Sequence, residues 1–276
     1  MNFVYRKWKK FCVGLREAGF QSLRADQING STANYIVLKH DVETNVKRAY
    51  DIACIEHEAG HCGSYYVQAY LLKQDRNIAL LQKMQEMGHE ISYHYDVMDS
   101  CKGNLDLAIE EFEKNKILFE SCGFLLRTVC QHGNPIVERV GYTSNRDFFR
   151  SERVRNLYPD ISDIMVNYKR DRATEYQYFS DAGRCFKCIY DPINNDVVDT
   201  SEKDIAYSDL DELLCYLGTE GHYMVSIHPH RWTKSSLLYI MKACLFRCVR
   251  LGAKLAVKVP FMKKIMNKYY YLAKKI

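Results

Sequence analysis

Tyr35-Ile-Val-Leu-Lys-His-Asp-Val-Glu43 is the stretch that decides the fold of this chain. Its apolar start reads as a buried strand running to Asp41, with polar residues gathered where it ends. Val46, Ala49, Tyr50, Ala53, Cys54 and His57 then recur at helical spacing, and Gly60 stops that helix. The same unit returns along the chain. Strands are predicted at Gly63–Gln68, Glu90–His94 and Leu125–Cys130, alternating with helices over Asp75–Met87 and Asn104–Cys122. Alternation at this spacing implies parallel strands. Residues 134–205 are less periodic; short strands are expected at Ile164–Tyr168 and Tyr176–Ser180. A helix over Asp209–Leu217 and a strand over Tyr223–His228 follow, and the C-terminus reads as helical from about Ser235. The fold class expected is α/β: a distorted parallel (β/α) barrel or related curved sheet, as one domain over residues 1–250, with a basic amphipathic helical tail over 251–276.

Composition sets the surroundings. The 276 residues are 47% apolar and 26% charged, with 14 Gly and 5 Pro, which excludes a collagen-like or Pro/Gly-rich disordered chain. Eleven cysteines, an odd number, read best as free thiols in a reducing cytoplasm. Arg6, Lys7, Lys9 and Lys10 interrupt what would be the apolar stretch of a signal peptide. No run of about 18 apolar residues suggests a membrane-spanning helix. The net charge of +5 is regional. Twelve of the 39 Lys and Arg fall in 221–276, and no acid follows Glu220, so the first 220 positions carry −7. An anionic partner is therefore expected for the C-terminus alone.

In parallel α/β folds, chemistry collects at the C-terminal ends of the strands. Here those ends read His40-Asp41-Val42-Glu43, His94-Tyr95-Asp96, Gln131-His132-Gly133-Asn134 and His228-Pro229-His230-Arg231-Trp232. One such histidine means little. Four ends bearing imidazole and carboxylate together suit a Zn²⁺ or other first-row divalent ion with places left for water and substrate. A carboxylate outside the ligand set can act as general base, and a separate histidine as general acid.

His40-Asp41-Val42-Glu43, Gly88-His-Glu-Ile-Ser-Tyr-His94, Cys130-Gln-His-Gly-Asn-Pro135, Tyr178-Phe-Ser-Asp-Ala-Gly-Arg184 and Ile227-His-Pro-His-Arg-Trp232 resemble, in that order, the motifs of polysaccharide deacetylases. The resemblance is to the branch associated with bacterial surface-polysaccharide genes, and it spans about residues 35–235. It implies a deacetylase-type barrel and metal-dependent removal of acetyl groups from sugars. It assigns Asp41 as general base, His228 as general acid, and Glu43 and His94 as metal ligands. The family's second ligating histidine would fall at Met98, so Asp96, Asp99 or His132 stands in its place; the ligand set carried forward is Glu43, His94 and His132. Asn134, Arg184 and Arg231 are assigned to the substrate, and Trp232 offers a sugar-stacking face. Two rival readings remain: a catalytically inactive barrel that binds glycan or a partner, and a metal hydrolase of a non-sugar amide or ester.

Other signals are set aside. His57-Glu58-Ala59-Gly60-His61 matches H-E-x-x-H, but Gly60 breaks the helix and His57 reads as part of its apolar stripe. His89 is expected to face solvent or a loop. Cys185 and Cys188 have C-x-x-C spacing without a second pair. The tail interleaves Lys with Leu, Phe, Met and Tyr, a composition suited to anionic lipid. That would place the protein at the inner face of the membrane, beside lipid-linked glycan. No nucleic-acid motif accompanies the charge.

Overall fold

The computed structural model describes residues 3–245, apart from 135–136, 169–170, 172–175, 182–185, 190–205, 208, 218–219 and 242–243. The basic tail, Arg184 and Cys185 lie outside the described residues.

The repeat begun at Tyr35 builds a sheet. Its strands are β1 (Tyr35–Val42), β2 (Gly63–Val67), β3 (Glu90–Tyr95), β4 (Thr128–Gln131), β5 (Ser162–Asp163), β6 (Gln177–Ser180), β7 (Phe186–Ile189), β8 (Ala206–Tyr207) and β9 (His222–Ile227). They lie in the order β5-β4-β3-β2-β1-β9-β6-β7-β8. The seven from β5 to β6 are parallel, and β7 and β8 pair antiparallel at one edge. The sheet curls into a distorted, half-closed (β/α) barrel, with β1 central between β2 and β9.

Helices α1 (Tyr5–Glu17), α2 (Val46–Glu58), α3 (Asp75–Glu86), α4 (Val97–Ser100), α5 (Leu105–Ser121), α6 (Asp147–Arg150), α7 (Glu152–Leu157) and α8 (Leu210–Leu217) flank it. Local chemistry sets several ends. The Asn45 and Asn104 side chains accept from the backbone N–H of Arg48 and Leu107, capping α2 and α5. Gly60 and Gly88, at φ of +83° and +95°, turn the chain out of α2 and α3 into the next strands.

Side-chain alternation along each strand sorts the core. Ile36 and Leu38 of β1 join α1, α8 and β9 residues in one cluster, and Val42 joins Tyr65, Tyr93 and Phe112 in another, both beneath the helices. Tyr35 and Val37 point the other way and meet Tyr66, Cys130, Tyr178 and Met224 inside the barrel. The parity of a strand residue thus decides whether it faces helix or lumen.

Most predicted elements stand within one to three residues of their expected bounds. Two features differ. The strand expected over Ile164–Tyr168 is Ser162–Asp163, and a turn follows because the Asp163 side chain accepts from Met165 N–H at 2.7 Å. α1 has no counterpart in the sequence reading, although it buries Trp8, Phe11, Cys12 and Leu15 against α2 and α8. Its lysines, noted as obstacles to a signal peptide, are the exposed face of that amphipathic helix.

Candidate active site

The lumen-facing parity of β1 continues through Lys39 and Asp41 to Glu43, just past the strand. β3 contributes His94, β4 Cys130 and then His132, and β9 leads to His228. All lie at the C-terminal end of the parallel strands.

The three assigned metal ligands converge: ligand atoms of Glu43, His94 and His132 lie within 4.8 Å of one another. His132 Nε2 is 3.4 Å from Glu43 Oε1, so the extra methylene of glutamate does not carry that carboxylate out of reach. His94 Nδ1 is 3.1 Å from the Cys130 carbonyl, which fixes this nitrogen as the donor and leaves Nε2 with its lone pair for an ion. Burial pushes the His94 imidazole down to about 3, so it is neutral. Two neutral-capable imidazoles and a carboxylate are the donor set a divalent transition metal takes, and these residues fit one.

The other two candidates for the third ligand do not gather there. Asp99 receives Arg139 through Nε and Nη2 at 2.8 and 2.9 Å, Tyr142 Oη at 3.1 Å and Asn145 Nδ2 at 2.9 Å. Its carboxylate is spent on fixing the loop after β4. Asp96 lies only partly buried at the end of β3, outside both ligand groups found among the described residues. Met98 sits in the helix-side core.

Asp41 and His228 stand beside the triad. His228 Nε2 is 3.8 Å from Asp41 Oδ2 and 3.9 Å from Glu43 Oε1. The ring is held from behind: its Nδ1 donates to Asp181 Oδ1 at 2.6 Å, and its backbone N–H donates to Asp181 Oδ2 at 3.0 Å. Asp181, fully buried just past β6, also receives Arg231 Nη1 at 3.1 Å and Trp232 Nε1 at 3.3 Å. Burial opposes its charge, but His228 and Arg231 hold its carboxyl at about 2. This aspartate was quoted in a motif without a role; its place one residue past a predicted strand was the available signal. Asp41 is held as an anion well below the usual carboxylate range. Burial opposes this, and the Lys39 ammonium with the His94 and His228 rings overcomes it.

Several assignments change. Trp232 is wholly buried, its ring 5.1 Å from Phe3 and 5.3 Å from Trp8, so it offers no stacking face to a sugar. The one-turn helix Pro229–Arg231 swings it into the core, where it braces Asp181. Arg231 is partly exposed but commits Nη1 to the Asp181 carboxylate and carbonyl. Asn134, partly exposed two residues beyond His132, accepts Arg139 on its carbonyl at 2.8 Å.

His40 faces away from the lumen. It belongs to a second buried cluster around Glu56 on α2. Trp8 Nε1 donates to Glu56 Oε1 at 2.9 Å, Tyr65 Oη donates to Oε2 at 2.7 Å, and His89 Nδ1 is 3.8 Å from Oε2. His40 Nε2 makes a 2.9 Å electrostatic contact with Oε1, without hydrogen-bond alignment, and its ring stacks on Tyr65 at 4.1 Å. His89, expected at the surface, is 1% exposed and accepts from Gly63 N–H at 2.9 Å. Of the H-E-x-x-H pair, His57 is exposed rather than on the apolar stripe, and His61 is buried against Cys12 and Ser22. Their directions diverge, and they hold no common site.

No protein-family model matches the chain, and no curated protein matches it. Among solved structures, the peptidoglycan deacetylase PdaC from Bacillus subtilis and a mutant of it align over 80% of this chain and 98% of theirs. Their identities are 13% and 12%, with a TM-score of 0.38 for each. The Bdellovibrio bacteriovorus peptidoglycan deacetylase Bd3279 aligns over 85% of this chain and 54% of its own, at 12% identity and TM-score 0.33.

Proposed function

We propose that this chain is a metal-dependent hydrolase that removes an acetyl group from an acetylated sugar. The observation that carries the reading is the meeting of Glu43, His94 and His132 around one point, with Asp41 and His228 beside it. The five ordered motifs resembling polysaccharide deacetylases supply the substrate class.

A divalent cation held by Glu43, His94 and His132, Zn²⁺ by its donor set, supplies Lewis acidity toward an acetyl carbonyl and lowers the pKa of water. Asp41 presents Oδ2 to take the proton of the attacking water, its other oxygen being held by Lys39. His228, locked by Asp181 with Nε2 toward Asp41, gives a proton to the departing amine or alcohol. Asp181 keeps that ring in one tautomer and orientation, the role a buried aspartate plays behind a catalytic histidine.

Acetate release from a panel of N- and O-acetylated sugars and non-sugar acetamides tests the reading. Turnover on a sugar, lost in Asp41→Asn and His228→Ala, is the expected result. Turnover confined to non-sugar amides would move the substrate class. Tight metal binding without turnover would favour a glycan- or partner-binding barrel, a reading that the neutralisation of Asp41 by Lys39 also favours.

The biological setting belongs to the same proposal: bacterial surface-polysaccharide synthesis, in the cytoplasm, on a lipid-linked glycan at the inner membrane face. Leu237, Leu238, Ile240 and Met241, exposed on a helix over 236–241, lead toward the basic tail and support a membrane contact. Lys263→Glu, Lys264→Glu and Lys268→Glu together are expected to abolish sedimentation with anionic liposomes; unchanged sedimentation would reject it.

A further inference from the structure

Two possible ligand triads overlap in the lumen. One is Glu43, His94 and His132. The other is Asp41, His94 and Cys130, all buried, with ligand atoms again within 4.8 Å of one another. They share His94, so they compete for one ion. By donor chemistry the second set is attractive to Zn²⁺, because it contains a thiol sulfur. A metal seated there would consume Asp41, the carboxylate proposed as base.

Lys39 stands at this junction. It is 1% exposed on β1, and its ammonium pairs with Asp41 Oδ1 and lies 3.3 Å from Ser226 Oγ. The Cys130 thiol also faces it, so two of the three groups in the second triad already meet a cation. A buried lysine is retained at such a cost only with its charge compensated. Here the compensating groups are those that would otherwise hold a metal.

We propose that Lys39 is a positioning residue whose ammonium takes the cation's place beside Asp41 and Cys130, directing the metal to Glu43, His94 and His132. A second cation against the same carboxylate, in a site of low dielectric, is repelled. The pairing costs Asp41 basicity and in return keeps one carboxylate oxygen off the metal. The inference rests on the metal-centre reading, and its test separates the two.

Cobalt(II) reports the ligand set directly, because a coordinated thiolate gives a sulfur-to-cobalt charge-transfer band that nitrogen and oxygen ligands do not. Wild type titrated with Co²⁺ is expected to bind the ion without that band. Lys39→Met is expected to gain it and to lose it again when Cys130→Ser is added, whereas Lys39→Arg keeps the wild-type spectrum. Lys39→Gln, which retains a donor to Asp41 and Ser226, is the companion variant should Lys39→Met not fold; the same gain is expected of it. A band in wild type that Cys130→Ser removes would overturn the inference, while leaving a metal in the lumen at the second triad. So would a neutral variant that binds Co²⁺ without the band, or one whose band survives Cys130→Ser. Wild type that takes up no Co²⁺ would overturn the metal centre, and the inference with it.

Discussion

β1 carries two buried clusters of histidine and carboxylate on its opposite faces, and they differ in how their polar atoms are satisfied. On the helix side, both oxygens of Glu56 receive protein donors, Trp8 Nε1 and Tyr65 Oη, and His89 is bonded at both nitrogens to backbone. On the lumen side, Glu43, His94, His132, Asp41 and His228 turn ligand and proton-transfer atoms toward one another at 3.4–4.8 Å. The first spacing is that of completed hydrogen bonds except at the His40 ring, whose nitrogens lack an aligned partner; the second is the spacing expected of groups around the proposed ion. Composition alone does not separate a structural network from a site. The partners of each atom do.

Substitutions can break this contrast. The largest expected effect on stability is at Glu56. Glu56→Ala leaves Trp8 and Tyr65 without their shared acceptor and His40 without its electrostatic partner, and denaturant unfolding is expected to show a loss of about 3–5 kcal/mol. Glu43→Ala, measured without metal, is expected to change stability far less. Equal losses at the two positions would remove the distinction.

Next in size is the support behind His228. Asp181→Asn is expected to lower hydrolysis by about 10²–10⁴-fold while metal content holds, since it alters the tautomer of a proton-transfer residue and not a ligand. Unchanged turnover at saturating substrate would show that the ring orientation set by Asp181 is not used.

The smallest effect is on pH. Burial pushes His89 down to about 4 from an ordinary 6.5, so the native state favours the neutral ring. That contribution to stability is fully present above 6.5 and is lost as pH falls from 6.5 to 4. On the lumen side, burial and Asp26 push Glu90 up to about 7 from 4.5, and Ser64 Oγ donates to it at 2.6 Å. Its contribution runs oppositely: complete below 4.5 and lost as pH rises to 7. Melting curves across pH 4–8 are expected to show a weaker acid-side dependence in His89→Gln and a weaker near-neutral dependence in Glu90→Gln, the remainder coming from other buried groups such as His94 and Asp163. Identical profiles in both variants and wild type would contradict this assignment.

Much of this was legible in the sequence, for definite reasons. The apolar start of β1, followed by helical spacing from Val46 and Gly60, specifies a βα unit locally, and its recurrence specifies a parallel sheet. The same ends name Glu43, His94, His132, Asp41 and His228 because site residues follow strands. Parity was legible too: it separates Lys39, Asp41 and Glu43 from His40, and its neglect grouped His40 with the site. Trp232, Asp181 and His89 were not legible in their roles. What an indole touches, what stands behind a histidine and whether a residue before a strand is covered depend on elements distant in sequence. Trp232 meets α1 and Phe3, and His89 meets α2.

The account turns on whether the lumen cluster holds a metal, and elemental analysis of the purified chain tests this most directly, with Glu43→Ala, His94→Ala, His132→Ala and Asp41→Ala beside wild type. About one divalent ion per chain is expected in wild type, lost in the three ligand variants and retained in Asp41→Ala. Wild type that holds none after incubation with Zn²⁺, or a His94→Ala variant that keeps its ion, would contradict the assignment of this cluster as the active site.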